Sequence, residues 1–173
     1  ENNRRFLFVG TPCQIAGLYS YLERSYDNLL TVDFICHGVP SPQVFAKYLS
    51  WLENCYSSKP KGFNFRDKRK GWQNIISSAC LDDGRQVVLK GSKNSFYNGF
   101  IAGTFLREVC FSCTHMTFPR MADLTIGDFW GIGEKIRFES AREKPKGISL
   151  VMVNSAKAKE TVKGQTHTMV FEE

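Results

Sequence analysis

At the start of the chain, a strand-like run of apolar residues is followed by a segment with apolar residues at helical spacing, and this order occurs twice. FLFVG (6–10) and LLTVDFIC (29–36) are short apolar runs rich in β-forming residues, as in buried strands. TPCQIAGLYSYLER (11–24) and SPQVFAKYLSWL (41–52) carry apolar residues at helical spacing, and each begins with a hydroxyl residue and a proline, as helix starts often do. The order strand, helix, strand, helix predicts a right-handed βαβ unit on a mainly parallel sheet.

The middle of the chain has a different pattern. Residues 62–91 contain short alternating runs around Asp83-Gly84, a dipeptide typical of a tight hairpin turn, and this predicts antiparallel strands. Residues 94–107 predict a short helix interrupted by glycines. The expected fold class is therefore α/β, with a βαβ-type, mainly parallel sheet and an inserted antiparallel β-hairpin region at 59–91.

The end of the chain returns to the first pattern. DLTIGDFWGI (123–132) predicts a strand and a turn, ISLVMVNS (148–155) predicts a late buried strand, and AKAKETVKG (156–164) predicts a polar helix or tail. We therefore expect residues 1–173 to form a single domain. Because a buried-type strand begins almost at the first residue, this domain is expected to belong to a longer protein.

Composition excludes several classes of protein. The chain is 42% hydrophobic and 23% charged, as in an ordinary globular protein, and no apolar run approaches the roughly 18 residues of a membrane-spanning helix. Its six cysteines are too sparse and too irregularly spaced for a small disulfide framework. We therefore expect a cytoplasmic protein in a reducing compartment, with cysteines that serve a metal or a cluster.

The charge of the chain is positive and unevenly distributed. The formal net charge is +6, and KPKGFNFRDKRKGW (59–72) is a dense basic stretch. Such a stretch can meet nucleic acid, the phosphates of a cofactor or an acidic protein partner, and it can equally be a solvated loop. Charge alone does not choose among these interpretations.

Four of the cysteines lie at positions suited to metal binding. Cys110 and Cys113 form a Cys-x-x-Cys pair, which is half of the usual four-ligand set of a zinc or iron–sulfur site. Cys13 lies at the predicted first turn of a helix, where the helix dipole favours a thiolate, and Cys36 closes the second predicted strand. Because parallel strands open their carboxyl ends onto one edge of a sheet, Cys13 and Cys36 are expected to face the same edge.

Other uses of these cysteines stay open at this point. Four thiolates suit zinc as well as a [4Fe–4S] cluster, and His37 or His115 could replace one of them in a zinc site. The Cys-x-x-Cys pair could also form a thioredoxin-like dithiol, although that motif normally opens a helix after a strand. A cysteine can simply be a small apolar residue, and this interpretation is kept for Cys55 and Cys80.

Four sequence blocks, taken in chain order, are similar to those of a known family. They are FVGTPCQIAGL (8–18), CHGVPSP (36–42), FRDKRKGW (65–72) and CFSCTHMTFPRMADLTIGDFWGI (110–132). Together they resemble the C-terminal domain of the coenzyme F420 hydrogenase/dehydrogenase beta-subunit family. GTPCQ alone would be a weak signal, whereas the combination is specific and covers nearly the whole chain.

The resemblance implies a redox apparatus. Members of the family are flavin- and iron–sulfur-containing reductases, so the resemblance implies that Cys13, Cys36, Cys110 and Cys113 ligate a [4Fe–4S] cluster. It also implies that FAD exchanges electrons with the cluster. The expected function is that of an oxidoreductase domain which passes electrons between the cluster, the flavin and an unidentified substrate, of deazaflavin type in some members.

The resemblance also implies partners. Complete members often carry an upstream ferredoxin-like domain and a flavin-related segment that are not in this sequence, so FAD binding is expected to be incomplete in this chain alone. The expected partners are a redox partner protein or the ferredoxin-like domain, the flavin and a small-molecule substrate. A membrane span is not expected, and nucleic acid is not an expected partner.

Six polar or aromatic residues are candidates for contacts with the flavin. Three lie in the basic stretch, where cations could pair with a cofactor diphosphate and an indole could stack on a planar ring. Three lie in PRMADLTIGDFWG (119–131), where a turn carboxylate could bind a ribityl hydroxyl or, as we favour, hold the turn itself. The six are Arg66, Lys68, Trp72, Arg120, Asp123 and Asp128.

A protein of a different class is the alternative hypothesis. A non-catalytic, zinc-stabilised basic module could use the same cysteines for zinc and the stretch 59–72 for nucleic acid. The two hypotheses differ in the metal that they require, since the first predicts iron with acid-labile sulfide and the second predicts zinc. They also differ in whether binding to nucleic acid falls steeply with salt.

Overall fold

The chain divides into two compact units, each with its own sheet. The computed structural model describes residues 4–72, 74–132 and 147–164. Unit 1 comprises Glu1–Cys36 and Cys113–Glu173, and unit 2 comprises His37–Ser112. That residues 1–173 form one domain of a longer protein stays a prediction.

Strands and helices follow one another through the described residues in the order that the sequence predicts, apart from one short helix at Glu108–Phe111. In the part of the chain that is described, the longest helix has 15 residues, and no helix there combines the length and the apolar character needed to cross a membrane. In chain order the elements are β1 (Phe6–Val9), α1 (Pro12–Leu22), β2 (Leu29–Phe34), α2 (Pro42–Tyr56), β3 (Pro60–Asn64), β4 (Ser77–Leu81), β5 (Gln86–Leu89), α3 (Ser95–Ile101), α4 (Glu108–Phe111), β6 (Leu124–Asp128), β7 (Ser149–Val153) and α5 (Ala156–Lys163).

Unit 1 contains the predicted βαβ arrangement. Its sheet has the order β1-β2-β6-β7, in which β1, β2 and β6 are parallel and β7 is antiparallel to β6. α1 connects β1 to β2 and buries Ile15 and Ala16. The hydroxyls of Tyr19 on α1 and Thr31 on β2 lie 2.7 Å apart, which ties the helix to the sheet. The mainly parallel α/β fold predicted from the sequence is confirmed.

Unit 2 contains the predicted antiparallel insertion. β3, β4 and β5 form a separate sheet in that order, and both pairs are antiparallel. The β4–β5 hairpin turns at Gly84, whose φ of +84° is a backbone conformation that glycine adopts without steric cost. The three strands span Pro60–Leu89, close to the predicted range of 59–91.

The core of unit 2 is aromatic. Tyr48 and Leu52 of α2 are buried with Ala79, Leu89 and Phe96. Further rings pack around Phe96, which is stacked on Tyr48 at a centroid distance of 5.6 Å and on Phe105 at 5.0 Å. Such ring pairs contribute roughly 0.5–1.5 kcal/mol each beyond the area that they bury. Helix α2 is therefore held on the hairpin sheet by ring packing.

Candidate functional site

Cys13 is an accessible thiol at the beginning of α1. Its sulfur lies 3.1 Å from the Thr11 hydroxyl, and the side chain is exposed. The Thr11 backbone N–H donates to Gln14 Oε1 at 2.8 Å, which closes the first turn of the helix. The local sequence Gly-Thr-Pro-Cys-Gln therefore holds the thiol at a defined position directly after β1.

Cys36 lies two residues beyond the end of β2 and is partly exposed. The N–H of Ile35 donates to the Ile126 carbonyl at 2.9 Å, so the backbone stays tied to β6 up to the residue before the cysteine. β1 and β2 are neighbouring parallel strands. Cys13 and Cys36 therefore both follow carboxyl ends at one edge of the unit 1 sheet, as the sequence predicts.

Cys110 lies on the short helix α4, which the sequence did not predict. Its sulfur accepts a hydrogen bond from the Val39 N–H at 3.4 Å, so it is fixed against the loop that follows Cys36. Gly38 has a φ of +129°, and a Cβ there would lie 2.8 Å from Leu106 Cδ1 and 3.4 Å from Cys110 Cβ. The glycine of Cys-His-Gly-Val-Pro is thus required both for its backbone conformation and for this close approach.

Cys113, the second cysteine of the pair, is exposed two residues beyond the end of α4. It belongs to unit 1, as Cys13 and Cys36 do, whereas Cys110 belongs to unit 2. Cys55 on α2 is exposed and Cys80 on β4 is partly exposed, and both lie within regular elements. They stay outside the predicted ligand set.

The donor chemistry of the four predicted ligands fits a thiolate-bound metal or cluster. None of the six cysteines is in a disulfide, and the four predicted ligands are at least partly exposed. Over residues 4–72, 74–132 and 147–164, no three histidine, cysteine or acidic side chains are gathered closely enough to hold a metal ion. The four-cysteine ligand set therefore remains a prediction, and its thiols are of the type that binds a metal or an iron–sulfur cluster.

Arg120 forms a buried ion pair inside unit 1. Its guanidinium donates to Asp33 Oδ2 at 2.7 Å, and each side chain is 1% exposed. Its Nε also lies 3.4 Å from the Thr125 hydroxyl. A charge this deeply buried is tolerated because it is paired. The sequence offered Arg120 as a flavin contact, and the structure gives its guanidinium a structural partner.

Asp123 is also bound within the unit 1 interior. Its carboxylate accepts hydrogen bonds from the Thr31 N–H at 2.9 Å and the Ser155 hydroxyl at 2.6 Å, and it pairs with Lys157 Nζ at 3.1 Å. Burial acts to raise the pKa of this carboxyl, but the hydrogen bonds from Ser155, Thr31 and Lys157 prevail and hold the pKa below its usual value. The carboxylate joins β2, β6 and α5.

The candidates in the basic stretch have different surroundings from one another. Trp72 is only 4% exposed, so its ring belongs to the interior of unit 2. Arg66 donates to the Trp72 carbonyl at 3.1 Å, and its guanidinium lies 5.9 Å from the indole centroid. Lys68 is exposed. Of these three, Lys68 is the side chain that the structure presents to solvent as a candidate phosphate contact.

Asp128 and Trp130 lie at the carboxyl end of β6. Asp128 is exposed at the last position of the strand, and Trp130 is 53% exposed. The Trp130 N–H donates to the Asp128 carbonyl at 3.2 Å, so the chain turns directly after the strand. Because β6 is parallel to β2, this turn lies at the same edge of the sheet as Cys36.

The structure also contains a feature that the sequence analysis missed. An apolar cavity of about 240 Å³ lies in unit 2, lined by Pro40, Phe65, Phe96, Tyr97 and Phe100. The segments FNF and SFYNGF are rich in rings, which was the available signal. Ring content is not enough to place a cavity, because most rings in a small domain belong to its core.

The net charge resides entirely in unit 2. By sequence, unit 2 has 11 lysines and arginines against 5 acidic residues, which is a net charge of +6, whereas unit 1 has 12 of each. Two of the arginines of unit 2 are paired, Arg69 with Asp67 and Arg85 with Asp83. The hydrogen bonds from Arg85 lower the pKa of Asp83 to about 2.

Fold and site together define an α/β protein with accessible thiols at the carboxyl edge of a parallel sheet and a basic, ring-rich second unit. The family model for the C terminus of the coenzyme F420 hydrogenase/dehydrogenase beta subunit matches residues 3–173. The chain therefore belongs to this family, which confirms the resemblance carried by the four sequence blocks. A comparison with curated proteins gave no match.

Proposed function

We propose that the chain is the electron-transfer part of an iron–sulfur flavoprotein oxidoreductase, and that Cys13, Cys36, Cys110 and Cys113 hold a [4Fe–4S] cluster. The observation that carries the proposal is that these four thiols lie in the matched region of a redox-subunit family, outside any disulfide and at least partly exposed. Cysteine thiolates are the usual ligands of such clusters.

The surroundings of the sulfurs support this assignment. The Val39 N–H that points at Cys110 is a hydrogen-bond donor of the kind that stabilises negative sulfur, and the Thr11 hydroxyl, 3.1 Å from Cys13 Sγ, can donate to that sulfur when it is a thiolate. Hydrogen bonds to the ligating sulfurs are also one of the ways in which a protein sets the potential of a cluster. These neighbours would give both ligands a defined orientation.

The proposal requires the segments that carry Cys13, Cys36, Cys110 and Cys113 to come together on one inorganic centre. Cys13 and Cys36 follow neighbouring strands, whereas Cys113 lies on the segment that leads to Arg120. The buried pair between Arg120 and Asp33 fixes the far end of that segment to β2. When bound, the cluster supplies one-electron transfer and a flavin converts it to two-electron chemistry.

For the flavin we propose a phosphate contact at Lys68, with Arg66 and Asp128 as further candidates. Lys68 has the exposure and charge that a diphosphate contact needs. For Arg120, Asp123 and Trp72 we propose a supporting role, because all three are buried. The electron donor and a small-molecule substrate complete the proposed reaction.

Metal analysis of anaerobically reconstituted protein tests the cluster. We expect about four iron and four acid-labile sulfide per chain, with a brown colour. Serine substitution at Cys13, Cys36, Cys110 or Cys113 should each lower the iron content and bleach the absorbance. Cys55→Ser is the matched control, because Cys55 is an exposed thiol on α2, and it should retain full iron content.

Two results would contradict the proposal. A folded, iron-free and colourless product of the reconstitution would exclude the proposed cluster. Stoichiometric zinc without iron, together with salt-dependent binding to DNA or RNA, would instead support the zinc-stabilised module that uses the basic charge of unit 2.

A further inference from the structure

We infer that the aromatic cavity of unit 2 receives the apolar end of a planar fused-ring ligand, with the dimethylbenzene end of a flavin as the matching chemistry. The identity of the ring as a flavin rests on the proposed function. The existence of a ring-binding cavity rests on the structure of unit 2 alone. The two parts can therefore be tested separately.

The walls of the cavity suit a flat apolar ring. Four of the five lining residues are aromatic, and they present only carbon atoms to the space. The volume of 240 Å³ exceeds the ~150 Å³ of an apolar cavity that is known to bind benzene, so there is room for more than one ring. Ring faces and edges attract other rings in offset or edge-to-face geometry.

The cavity is open to solvent, which distinguishes it from a packing defect of the core. Phe65 is 46% exposed at its rim, whereas Phe96 is 5% exposed at its base. Phe65 is held in place by Phe63 at a centroid distance of 4.8 Å and by Phe45 at 5.1 Å. Placing an apolar ring over these side chains would remove their surface from water, which is favourable.

The cavity shares a loop with one of the proposed cluster ligands. Pro40 lines the cavity, and the neighbouring Val39 donates its N–H to Cys110 Sγ at 3.4 Å. His37, at the start of the same loop, packs edge-on against Phe100 at 5.1 Å, and its Nε2 lies 3.0 Å from the Phe100 carbonyl. Loop 37–40 therefore joins a proposed redox ligand to the ring cavity within one unit.

The lining also predicts the orientation of the ring. A flavin has a polar pyrimidine edge and an apolar dimethylbenzene edge. Since a buried polar group without a hydrogen-bond partner costs free energy, the apolar edge is the one that enters a carbon-lined cavity. The polar edge and the ribityl chain then lie outside, where exposed Lys68 and Lys70 follow Phe65 in the chain and can meet phosphate.

Quenching of flavin fluorescence tests the inference on the intact chain. Riboflavin, which has the ring but no phosphate, and FAD are titrated into the wild-type protein and into Phe65→Leu and Phe100→Leu. Both substitutions keep an apolar side chain but remove a ring, so we expect about five-fold weaker binding of riboflavin and of FAD. Phe111→Leu is the matched control, because Phe111 is 66% exposed and does not line the cavity, and it should bind as the wild type does.

A second comparison separates ring from phosphate recognition. The double variant Lys68→Ala, Lys70→Ala should weaken FAD binding and leave riboflavin binding unchanged. The inference is overturned if wild-type protein quenches neither flavin, or if both phenylalanine variants bind riboflavin as tightly as the wild type does. Iron content is measured on the same samples. Absent flavin binding with normal iron content would overturn the cavity inference and leave the cluster proposal standing. Normal flavin binding without iron would overturn the cluster proposal and leave the cavity inference standing.

Discussion

Unit 1 buries charged and hydroxyl side chains beside its strands, whereas unit 2 packs rings between a helix and a hairpin sheet. In unit 1, Thr31, Asp33, Asp123 and Thr125 are all less than 9% exposed and lie on or next to the parallel strands. In unit 2 the rings of Phe45, Tyr48, Phe63, Phe96 and Phe105 contact one another around α2. The two interiors are stabilised by different forces.

This difference has consequences for function. A buried hydrogen bond or ion pair is directional, and the loss of one partner leaves the other unsatisfied. An aromatic cluster is less directional and can accept one more ring at an open side. Unit 1 is therefore suited to hold loops in a defined position beside its thiols, and unit 2 is suited to receive a planar ligand.

The largest expected effect comes from breaking the ion pair of unit 1. Asp33→Ala leaves the Arg120 guanidinium buried without its carboxylate, and we expect a loss of about 4 kcal/mol in the free energy of unfolding. Urea denaturation followed by circular dichroism measures this loss. Glu160→Gln, at an exposed pair with Lys163, should change stability by less than about 0.5 kcal/mol.

Replacing both partners sharpens the same test. Asp33→Leu combined with Arg120→Met removes both charges together, and such replacements are often neutral or stabilising. The double variant should therefore be more stable than Asp33→Ala. A loss below about 1 kcal/mol for Asp33→Ala would show that the pair does not organise unit 1.

A smaller loss of stability is expected when a core side chain of unit 2 is truncated, which leaves a new cavity beneath α2. Leu52 is completely buried on α2, and Leu52→Ala should cost about 3 kcal/mol because the space is only partly refilled. Hydrogen exchange should show faster exchange of the amides in α2 and β4. Lys47→Ala, at an exposed position of the same helix, serves as the control and should leave both the unfolding midpoint and the exchange pattern unchanged.

The smallest effects are in the dependence of stability on pH, and they differ between the units. In unit 1 the pKa of Asp123 is lowered in the folded state, so its contribution is present above the unfolded value of 3.8 and is lost as the pH falls through the folded value. The difference in urea midpoint between wild type and Asp123→Asn should therefore narrow below about pH 4. A constant difference from pH 7 to pH 2 would exclude this linkage.

In unit 2 the corresponding dependence is alkaline. Burial, with a smaller contribution from Tyr56 and Cys55, raises the pKa of Tyr48 from 10.0 to about 12. The stability that the neutral phenol contributes is present below pH 10 and is lost as the pH rises through about 12. Tyr48→Phe should reduce the fall of the urea midpoint with rising pH over this range. Tyr21→Phe, at an 85% exposed position, should leave that fall unchanged.

Much of the fold was predictable because its information is local. Runs of β-forming residues predicted β1, β2 and β7, although β1 and β7 are largely exposed and not buried as expected. The Thr-Pro and Ser-Pro starts predicted α1 and α2. The Asp83-Gly84 turn predicted the hairpin of unit 2. α4 was missed because four residues are too few to show a helical period.

The candidate site was predictable only in part. The order of the parallel strands could be inferred, and with it the shared edge of Cys13 and Cys36. Trp72 was a candidate for stacking on a ligand ring, and the structure buries its side chain in unit 2, so that role stays a prediction. No local sequence pattern distinguishes an indole that packs in a core from one that stacks on a ligand ring.

By itself, the sequence determined the order of the strands and of the helices other than α4, the cysteine spacing and the family to which the chain belongs. The tertiary structure alone decided that Arg120 pairs with Asp33 across 87 residues and that separate aromatic segments leave an open cavity beside Pro40. Periodicity records which face of an element is apolar. Partners distant in the chain are set by how the elements pack, so these pairings become visible only in three dimensions.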